Sequence, residues 1–574
     1  TTTRMSGLER GSAGHVGDRE GKGIFSSIHA SPVVILSLVV VAGAIDGTFR
    51  GVHQLPTILG EDLSVHAHPP ADWHRGSELF QSQAYVTHQD TSMLLQQLEG
   101  GTCSESWNCV PGLVCEGGKC NLCSTDQECI VRNSKNRCMN NTEGEPECSH
   151  KPLFDPFDSS DVAISVITFF TIVLAAPAGV GGGGILVPMY LAIGHFSPHY
   201  GIPLSKATIF GGAITNNYFN LKRRHPVANR PMIDYTACML LEPVLLLGTI
   251  LGVFFNAVSP GWAITVLLVV TLCYTTYRTG LKAYETYIKE EKAEAEDETS
   301  RLLPAGNPNG NKKHFTFNDD HELPPELRAI VKAESGHNLY SVGVLSVSWV
   351  VIATFSLLKG GEGGEGVFPC GSVGYWALVL APTPIIFSLV WYVGNRASAA
   401  YYRKVELGYE FPEGDLHWTK RNTRVFPLYC ITAGFAAGAL GIAAGTILGP
   451  VLLELGLLPI VATTSSGFMV IFTASSTTFQ FLVMGQLQVD YAMFFCMIGL
   501  LGGAVGNTSV NWLVKKYKKT WFVVAILTFV LFMSVFLMGY AGYVRWAVAE
   551  HHGKNMGIRS LCPSLLNPHV HAMR

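Results

Sequence analysis

The sequence has little charge: only 14% of its 574 residues are Asp, Glu, Lys or Arg, whereas soluble proteins carry about 25%. Its formal net charge is −3, so it has no basic excess that would attract a nucleic acid. It also lacks a P-loop of the form G-x-x-x-x-G-K-[ST], because aliphatic residues follow the glycine runs. The histidines lack the spacing of metal ligands. We therefore expect no nucleic-acid partner, no cofactor or metal, no enzymatic activity and no ATP-driven transport by this chain.

Apolar runs dominate the chain instead, and its mean hydropathy is +0.27. A helix that crosses a bilayer needs about 20 apolar residues. Runs of this kind recur at Pro32–Phe49, Asp161–Gly194, Pro203–Leu221, Met232–Val258, Trp262–Leu281, Leu339–Leu358, Val373–Val393, Val425–Gly456, Pro459–Met484, Val489–Val514 and Trp521–Trp546. They predict an all-α polytopic membrane protein in the plasma membrane or an endomembrane.

Eight of the fourteen cysteines lie in one short polar segment, at Cys103, Cys109, Cys115, Cys120, Cys123, Cys129, Cys138 and Cys148. Such a dense, even set predicts four disulfide bonds in an oxidising compartment, with a connectivity that spacing alone leaves open. Zinc is the alternative, since Cys120 and Cys123 have ligand-like spacing, but no second pair follows them. Asn140 begins a glycosylation sequon, which agrees with a luminal or extracellular position.

Composition divides the chain into successive segments. We expect a cytoplasmic tail (1–30), a signal peptide or signal anchor (31–49), a luminal or extracellular cysteine-rich region (50–160), a first transmembrane repeat (161–281), a disordered cytoplasmic linker (282–338), two connecting transmembrane helices (339–396), a cytoplasmic loop (397–424), a second transmembrane repeat (425–546) and a C-terminal tail (547–574).

The two repeats share the frame G-[VI]-x-x-G-x-I-L-x-P, at Gly179–Pro188 and at Gly441–Pro450. Asp161–Gly194, which contains the first copy, would make about 51 Å of helix, too long for one span and too short for two. If both copies enter the membrane, break at their glycines and return, the basic loops share the side of the N-terminus, as the positive-inside rule requires. The two repeats are then inverted. A kinked, tilted spanning helix is the alternative.

Glycine-rich backbone at membrane depth is tolerated only where protein buries it or where it lines a cavity. Each break opens a short helix whose first N–H groups lack intrahelical partners and favour anions. We therefore expect a small anion to bind where glycine allows close approach to the backbone, at Gly179, Gly181, Gly182, Gly183, Gly184, Gly441, Gly445 and Thr446. Close helix packing is the alternative, and it is the interpretation we favour for Gly248, Gly252, Gly502 and Gly506.

Polar residues in the apolar helices extend the candidate site. Thr463, Thr464 and Ser465 follow the second break and could donate hydrogen bonds to an oxyanion, or bond back to their own helix. Thr215 and Asn216 are expected to line a cavity in the first repeat, and Lys206 either attracts the anion or extends to the interface. Glu242 lies inside a predicted span, where carboxylates pair or titrate, which makes it the candidate for proton coupling.

The glycine-rich segments with their closing prolines, the inverted arrangement and the hydroxyl-rich helix after the second break resemble the sulfite exporter TauE/SafE family, over roughly Asp161–Trp546. The resemblance implies a secondary transporter of small sulfur oxyanions or organosulfonates. The cysteine-rich region and the long linker are similar to additions of a eukaryotic branch. Two other functions stay open: a receptor or assembly subunit that binds a partner through the cysteine-rich region, and an uncoupled anion channel.

Overall fold

The computed structural model describes residues 102–551, except 104–108, 110–112, 131–134, 141–145, 155, 178, 180, 226–227, 303–323, 337, 361–366, 370, 410, 412–413 and 518–520. The predicted N-terminal tail and signal segment, and most of the C-terminal tail, lie outside the described residues. The side chain of Asn140, the predicted glycosylation acceptor, lies outside them as well.

The cysteine-rich region folds into a small module of two hairpins and a short helix. Its elements are β1 (Val114–Glu116), β2 (Lys119–Asn121), α1 (Asp126–Ile130), β3 (Asn136–Asn140) and β4 (Pro146–His150), with β1 antiparallel to β2 and β3 antiparallel to β4. The disulfides are Cys103–Cys115, Cys109–Cys120, Cys123–Cys138 and Cys129–Cys148. The prediction that all eight cysteines are paired is confirmed, and none of the eight keeps a thiolate for zinc. The bonds stabilise a module too small for a large apolar core.

The rest of the described chain is helical. The helices are α2 (Ser159–Ala175), α3 (Gly183–Ala192), α4 (Pro198–Asn220), α5 (Tyr235–Val258), α6 (Gly261–Leu302), α7 (Pro325–Glu334), α8 (Leu339–Lys359), α9 (Val373–Leu380), α10 (Pro382–Glu406), α11 (Asn422–Leu440), α12 (Ala444–Glu454), α13 (Pro459–Val483), α14 (Val489–Tyr517) and α15 (Trp521–His551). Seven apolar spans among the described residues are long enough to cross a membrane. The chain is therefore an integral, multi-pass membrane protein.

The cysteine module rests against both ends of the segment that contains α2 and α3. At the start of α2, the Lys151 ammonium donates to an Asp161 carboxylate oxygen at 2.6 Å. After α3, the Phe196 ring packs on the His150 ring with centroids 4.1 Å apart. The chain from Asp161 to Phe196 thus begins and ends beside the same module.

At the opposite pole of the helix bundle, polar contacts join several segments. Arg224 donates to the Ser335 carbonyl oxygen at 2.7 Å, and Arg403 pairs with Glu326 at 2.8 Å. The segment that contains α11 and α12 has both of its ends on this side. It starts after the 407–421 connection, and a Cβ added to Gly414 in that connection would lie 2.5 Å from the Cγ of Leu458, which follows α12.

The linker differs in part from the prediction. Residues 282–302 continue α6 and residues 325–334 form α7, so the expectation of disorder is wrong there; 303–323 lie outside the described residues. Low hydrophobicity favoured disorder, but the Ala, Glu and Lys of this segment are also strong helix formers. Helix α7 is fixed by Leu327, which is buried, and by ion pairs to α10 that include Lys404–Glu334.

Glycines mediate the closest helix crossings, and these crossings join the two repeats. Cβ atoms added to Gly248 and Gly252 on α5 would lie 2.2 and 2.3 Å from carbonyl oxygens of α11. On α14, a Cβ at Gly506 would lie 2.3 Å from the Val173 oxygen of α2, and one at Gly502 would lie 3.0 Å from the Phe169 oxygen. The packing interpretation of these four glycines is confirmed.

Candidate functional site

At the first break, glycines with left-handed backbone angles interrupt the helix. Helix α2 ends at Ala175 and α3 begins at Gly183. Between them Gly179, Gly181 and Gly182 have φ angles of +69°, +67° and +74°, a left-handed region that side chains with a Cβ rarely adopt. Helix α3 is about 15 Å long, roughly half the thickness of a bilayer core.

The second break is shorter. Helix α11 ends at Leu440, Gly441 follows with a φ of +71°, and α12 begins at Ala444. Thr446 lies buried in the first turn of α12, and its N–H donates to the Ala443 carbonyl oxygen at 3.0 Å. The same sequence frame therefore gives two breaks with different numbers of left-handed glycines.

The two breaks touch each other through their backbones. A Cβ added to Gly183 would lie 2.5 Å from the Gly441 oxygen and 2.8 Å from the Ala443 nitrogen. A Cβ added to Gly445 would lie 2.4 Å from the Gly179 oxygen. The structure thus brings predicted site glycines of both repeats together. It also corrects one expectation, because at Gly183 and Gly445 the opposite break, rather than open space for a ligand, occupies the room that glycine leaves.

A small cavity adjoins this contact. It is lined by Gly179 and Gly181 of the first break, by Gly467 on α13 and by Asn216 on α4. Apolar atoms complete it, from Ile172, Ala176, Ile209, Gly212, Ala213 and Val470. Asn216 is 5% exposed, and a Cβ added to Gly467 would lie 2.8 Å from its Nδ2. Gly467 was not among the predicted site residues, although it follows Pro459 by eight residues, the offset at which Gly211 follows Pro203 in the first repeat.

Most of the predicted hydroxyl groups are engaged within the protein. Thr464 Oγ1 donates to the Ile460 carbonyl oxygen at 2.7 Å, which is the back-bonding alternative. Thr215 Oγ1 donates to the Leu500 oxygen at 2.9 Å, and Ser465 Oγ accepts from the Asp234 N–H at 2.9 Å.

Thr463 and Gly184 contribute packing around the first break. A Cβ added to Gly179 would lie 2.7 Å from the Thr463 carbonyl oxygen, so the start of α13 presses against the break. Gly184 is buried in α3, where an added Cβ would meet only the side-chain ends of Leu272 and Leu531, at 3.1 and 3.2 Å.

Lys206 reaches the second break instead of the membrane interface. Its side chain is 1% exposed, and Nζ donates to the Ile442 carbonyl oxygen at 2.7 Å. The neighbouring Ser205 Oγ donates to the Gly441 oxygen at 3.0 Å. Helix α4 of the first repeat therefore holds the backbone of the second break through two side chains.

Glu242 lies apart from the breaks, between α5 and α13. It is 0% exposed, and its Oε1 accepts from Thr473 Oγ1 at 2.8 Å. Its Oε2 has no hydrogen-bond partner among the described residues. A buried carboxylate with one unpaired oxygen is costly in its charged form, so this group suits proton binding.

Among the residues that the structure describes, clusters of three or more potential metal ligands occur only among the module cysteines, and those cysteines are disulfide-bonded.

Known proteins are similar to this chain over both helical repeats. The family model "Sulfite exporter TauE/SafE" matches residues 164–312 and 425–560. Sulfite exporter TauE/SafE family protein 3 of Arabidopsis thaliana is 29% identical over 422 residues, which cover 72% of this chain and 84% of that protein. Family proteins 2 and 5 of the same plant are 26% and 27% identical, covering 76% and 70% of this chain and 95% and 88% of those proteins. No solved structure matches the chain. Since both matched regions include a glycine break, the chain belongs to the sulfite exporter TauE/SafE family of membrane transporters.

Proposed function

We propose that this protein is a secondary transporter that moves small sulfur oxyanions such as sulfite, or organosulfonates, through a site where the two breaks meet. The contact between Gly183 and the Gly441–Ala443 backbone carries the proposal. Helix α3 begins at Gly183 and α12 begins one residue after Ala443, so two helix N-termini face each other. Each carries a partial positive charge of roughly half a unit, and their mutual repulsion favours an anion beside them.

The cavity next to the contact has a volume of about 10 Å³, little more than a water molecule needs, so it would have to widen to give such an anion neutral donors. The Asn216 amide can donate two hydrogen bonds, and the Gly179 and Gly181 backbone allows close approach. The apolar remainder of the lining keeps the site away from water, which strengthens interactions with charge.

The inverted arrangement of the repeats is part of the proposal. The first break segment has both ends at the cysteine module, and the second has both ends at the opposite pole. Two segments that return to opposite sides would present their breaks to a common midplane, as in transporters with inverted repeats. We accordingly propose that the module is luminal or extracellular and that 282–338 and 397–424 are cytoplasmic.

We further propose that proton binding at Glu242 is coupled to transport. Its unpaired Oε2 and complete burial support this role. A coupled transporter differs from an uncoupled anion channel, because the channel conducts anions without depending on proton binding at Glu242.

Flux into proteoliposomes tests the function. Labelled sulfite, sulfate and taurine would be offered to the purified full chain, with and without a pH gradient. We expect sulfite or taurine uptake that the gradient stimulates and that Glu242→Gln uncouples from it. Absence of any sulfur-anion flux would favour the receptor alternative, and flux without gradient dependence, together with measurable conductance, would favour the channel.

The site itself is tested at Asn216 by two variants at one position. Asn216→Asp places a negative charge in the cavity and should abolish anion flux, whereas the smaller, neutral Asn216→Ser should retain a substantial part of it. Equal flux through both variants would move the site elsewhere. Purified yield and size-exclusion profile of each variant control for folding.

Topology is tested at a single engineered thiol. A cysteine introduced as Ser300→Cys should react with a membrane-impermeant maleimide only after the cells are permeabilised. Labelling of intact cells would overturn the proposed cytoplasmic position of the linker.

A further inference from the structure

Lys206, at the second break, is a buried cation that needs a negatively charged partner. Lys206 lies inside α4, 1% exposed, and its ammonium donates to the Ile442 carbonyl oxygen at 2.7 Å. Among the residues that the structure describes, no carboxylate forms an ion pair with it. A carbonyl dipole satisfies one of its three donors but does not neutralise its charge. Buried charges are normally paired, so the negative partner of this one remains to be identified.

The location of the ammonium indicates what that partner is. Ile442 stands between Gly441 and Ala443, the two residues whose backbone atoms meet Gly183. The ammonium therefore lies at the same junction as the N-termini of α3 and α12. Three positive groups converge there, an arrangement that attracts an anion and repels a cation.

Only one repeat supplies this full charge. When Pro203 is aligned with Pro459 and Gly211 with Gly467, the position of Lys206 corresponds to Ala462. One lysine serves a junction built from two repeats, so the site has one full positive charge and two partial ones. With each helix N-terminus counted as about half a charge, the three groups sum to about +2, of which Lys206 supplies about half.

We propose that Lys206 is the charge partner of the bound substrate, a sulfur oxyanion such as bisulfite, sulfite or a sulfonate R–SO3⁻. The proposal rests on the proposed function, because it assigns a charge partner to the same site. The oxyanion can accept from the ammonium and from the N–H groups at the helix N-termini.

Ligand-induced stabilisation of the purified full chain tests the proposal, because a ligand that binds the folded state raises the melting temperature. The probes are methanesulfonate, sulfate, and dimethyl sulfone as an uncharged analogue. We expect methanesulfonate and sulfate to stabilise the wild type, and dimethyl sulfone, which carries no charge, to have no effect. Lys206→Met should weaken the methanesulfonate response at least tenfold, and Lys206→Arg, which keeps the charge, should retain most of it.

A second lysine supplies the matched control. Lys359, at the end of α8, has its ammonium 4.1 Å from the centre of the Phe254 ring, and Lys359→Met should respond to methanesulfonate like the wild type. If Lys206→Met also responds like the wild type, Lys206 only fixes the Ile442 carbonyl, and the proposal fails while the transport function stands. If dimethyl sulfone stabilises the wild type as well as methanesulfonate does, recognition of charge at this site is refuted even where Lys206→Met does not fold. Failure of the wild type to transport any sulfur anion would refute both proposals together.

Discussion

Two adjacent glycines at the start of α3 allow the contact between the breaks to be tested by a matched pair of substitutions. Gly183 and Gly184 are both helical, and neither has a positive φ, so alanine is compatible with the backbone at both positions. Their surroundings differ. A Cβ at Gly183 would lie 2.5 and 2.8 Å from backbone atoms of the second break, whereas one at Gly184 would meet only flexible leucine ends beyond 3.0 Å.

The expected effect follows from two opposing contributions to stability. Replacing glycine by alanine in a helix stabilises it by at most about 1 kcal/mol. Overpacking against backbone that cannot rotate away typically costs about 1–3 kcal/mol. Gly183→Ala should therefore lose up to about 2 kcal/mol, and Gly184→Ala should be neutral or gain up to about 1 kcal/mol.

The assay compares apparent melting temperatures in detergent with initial rates of sulfite flux in liposomes. Gly183→Ala should melt below the wild type and transport more slowly, because the two breaks are pushed apart. Gly184→Ala should melt at or above the wild-type temperature and keep its flux. Equal behaviour of the two variants would refute the packing of one break on the other.

Three further predictions concern positions away from this contact. Burial and the nearby Lys151 charge lower the pKa of His150 from 6.5 to about 3, so docking of the module should be strongest above pH 6.5 and weaken by about 1.4 kcal/mol per unit as the pH falls toward 3. Hydrogen-exchange protection factors at 146–154, corrected for the intrinsic pH dependence of exchange, should therefore fall between pH 6.5 and 5, a fall that His150→Gln should lack. Thr464→Val should change sulfite affinity less than twofold in a binding titration, since the hydroxyl proton is already donated to Ile460; a tenfold loss would return Thr464 to the site. Gly248→Ala should lower the melting temperature, at a cost of about 1–3 kcal/mol, whereas Gly449→Ala, with only one atom 3.9 Å away, should not; similar melting of both would contradict the close crossing of α5 and α11.

Periodicity and composition predicted those features that depend on local sequence. The eight module cysteines pair because the segment is too poor in apolar residues to be stable otherwise. The helices follow the apolar runs, and each break falls at its glycines because only glycine adopts the required φ without strain. The linker was the exception, since low hydrophobicity does not distinguish disorder from an exposed helix rich in Ala, Glu and Lys.

Contacts between the repeats could not be predicted in the same way. Lys206 has the length to reach either the membrane interface or a buried carbonyl, and only the packing of α4 on the second break decides between them. The hydroxyl of Thr464 can likewise face a ligand or its own helix, and the sequence favours neither. Residues that act across the repeat boundary need the three-dimensional arrangement before a role can be assigned.

Two buried ionisable groups of the transmembrane bundle share one property that bears on coupling. Lys206 and Glu242 both belong to the first repeat, and each bonds to a group of the second, Ile442 and Thr473. The second repeat thus supplies neutral partners to charges carried by the first. Any displacement of one repeat against the other would alter both contacts at once, changing the environment of the proposed anion partner and of the proposed proton site together. Because a buried charge is costly when its partner is withdrawn, such a displacement would be favoured only when substrate and proton compensate both groups, which is the physical requirement for coupled transport.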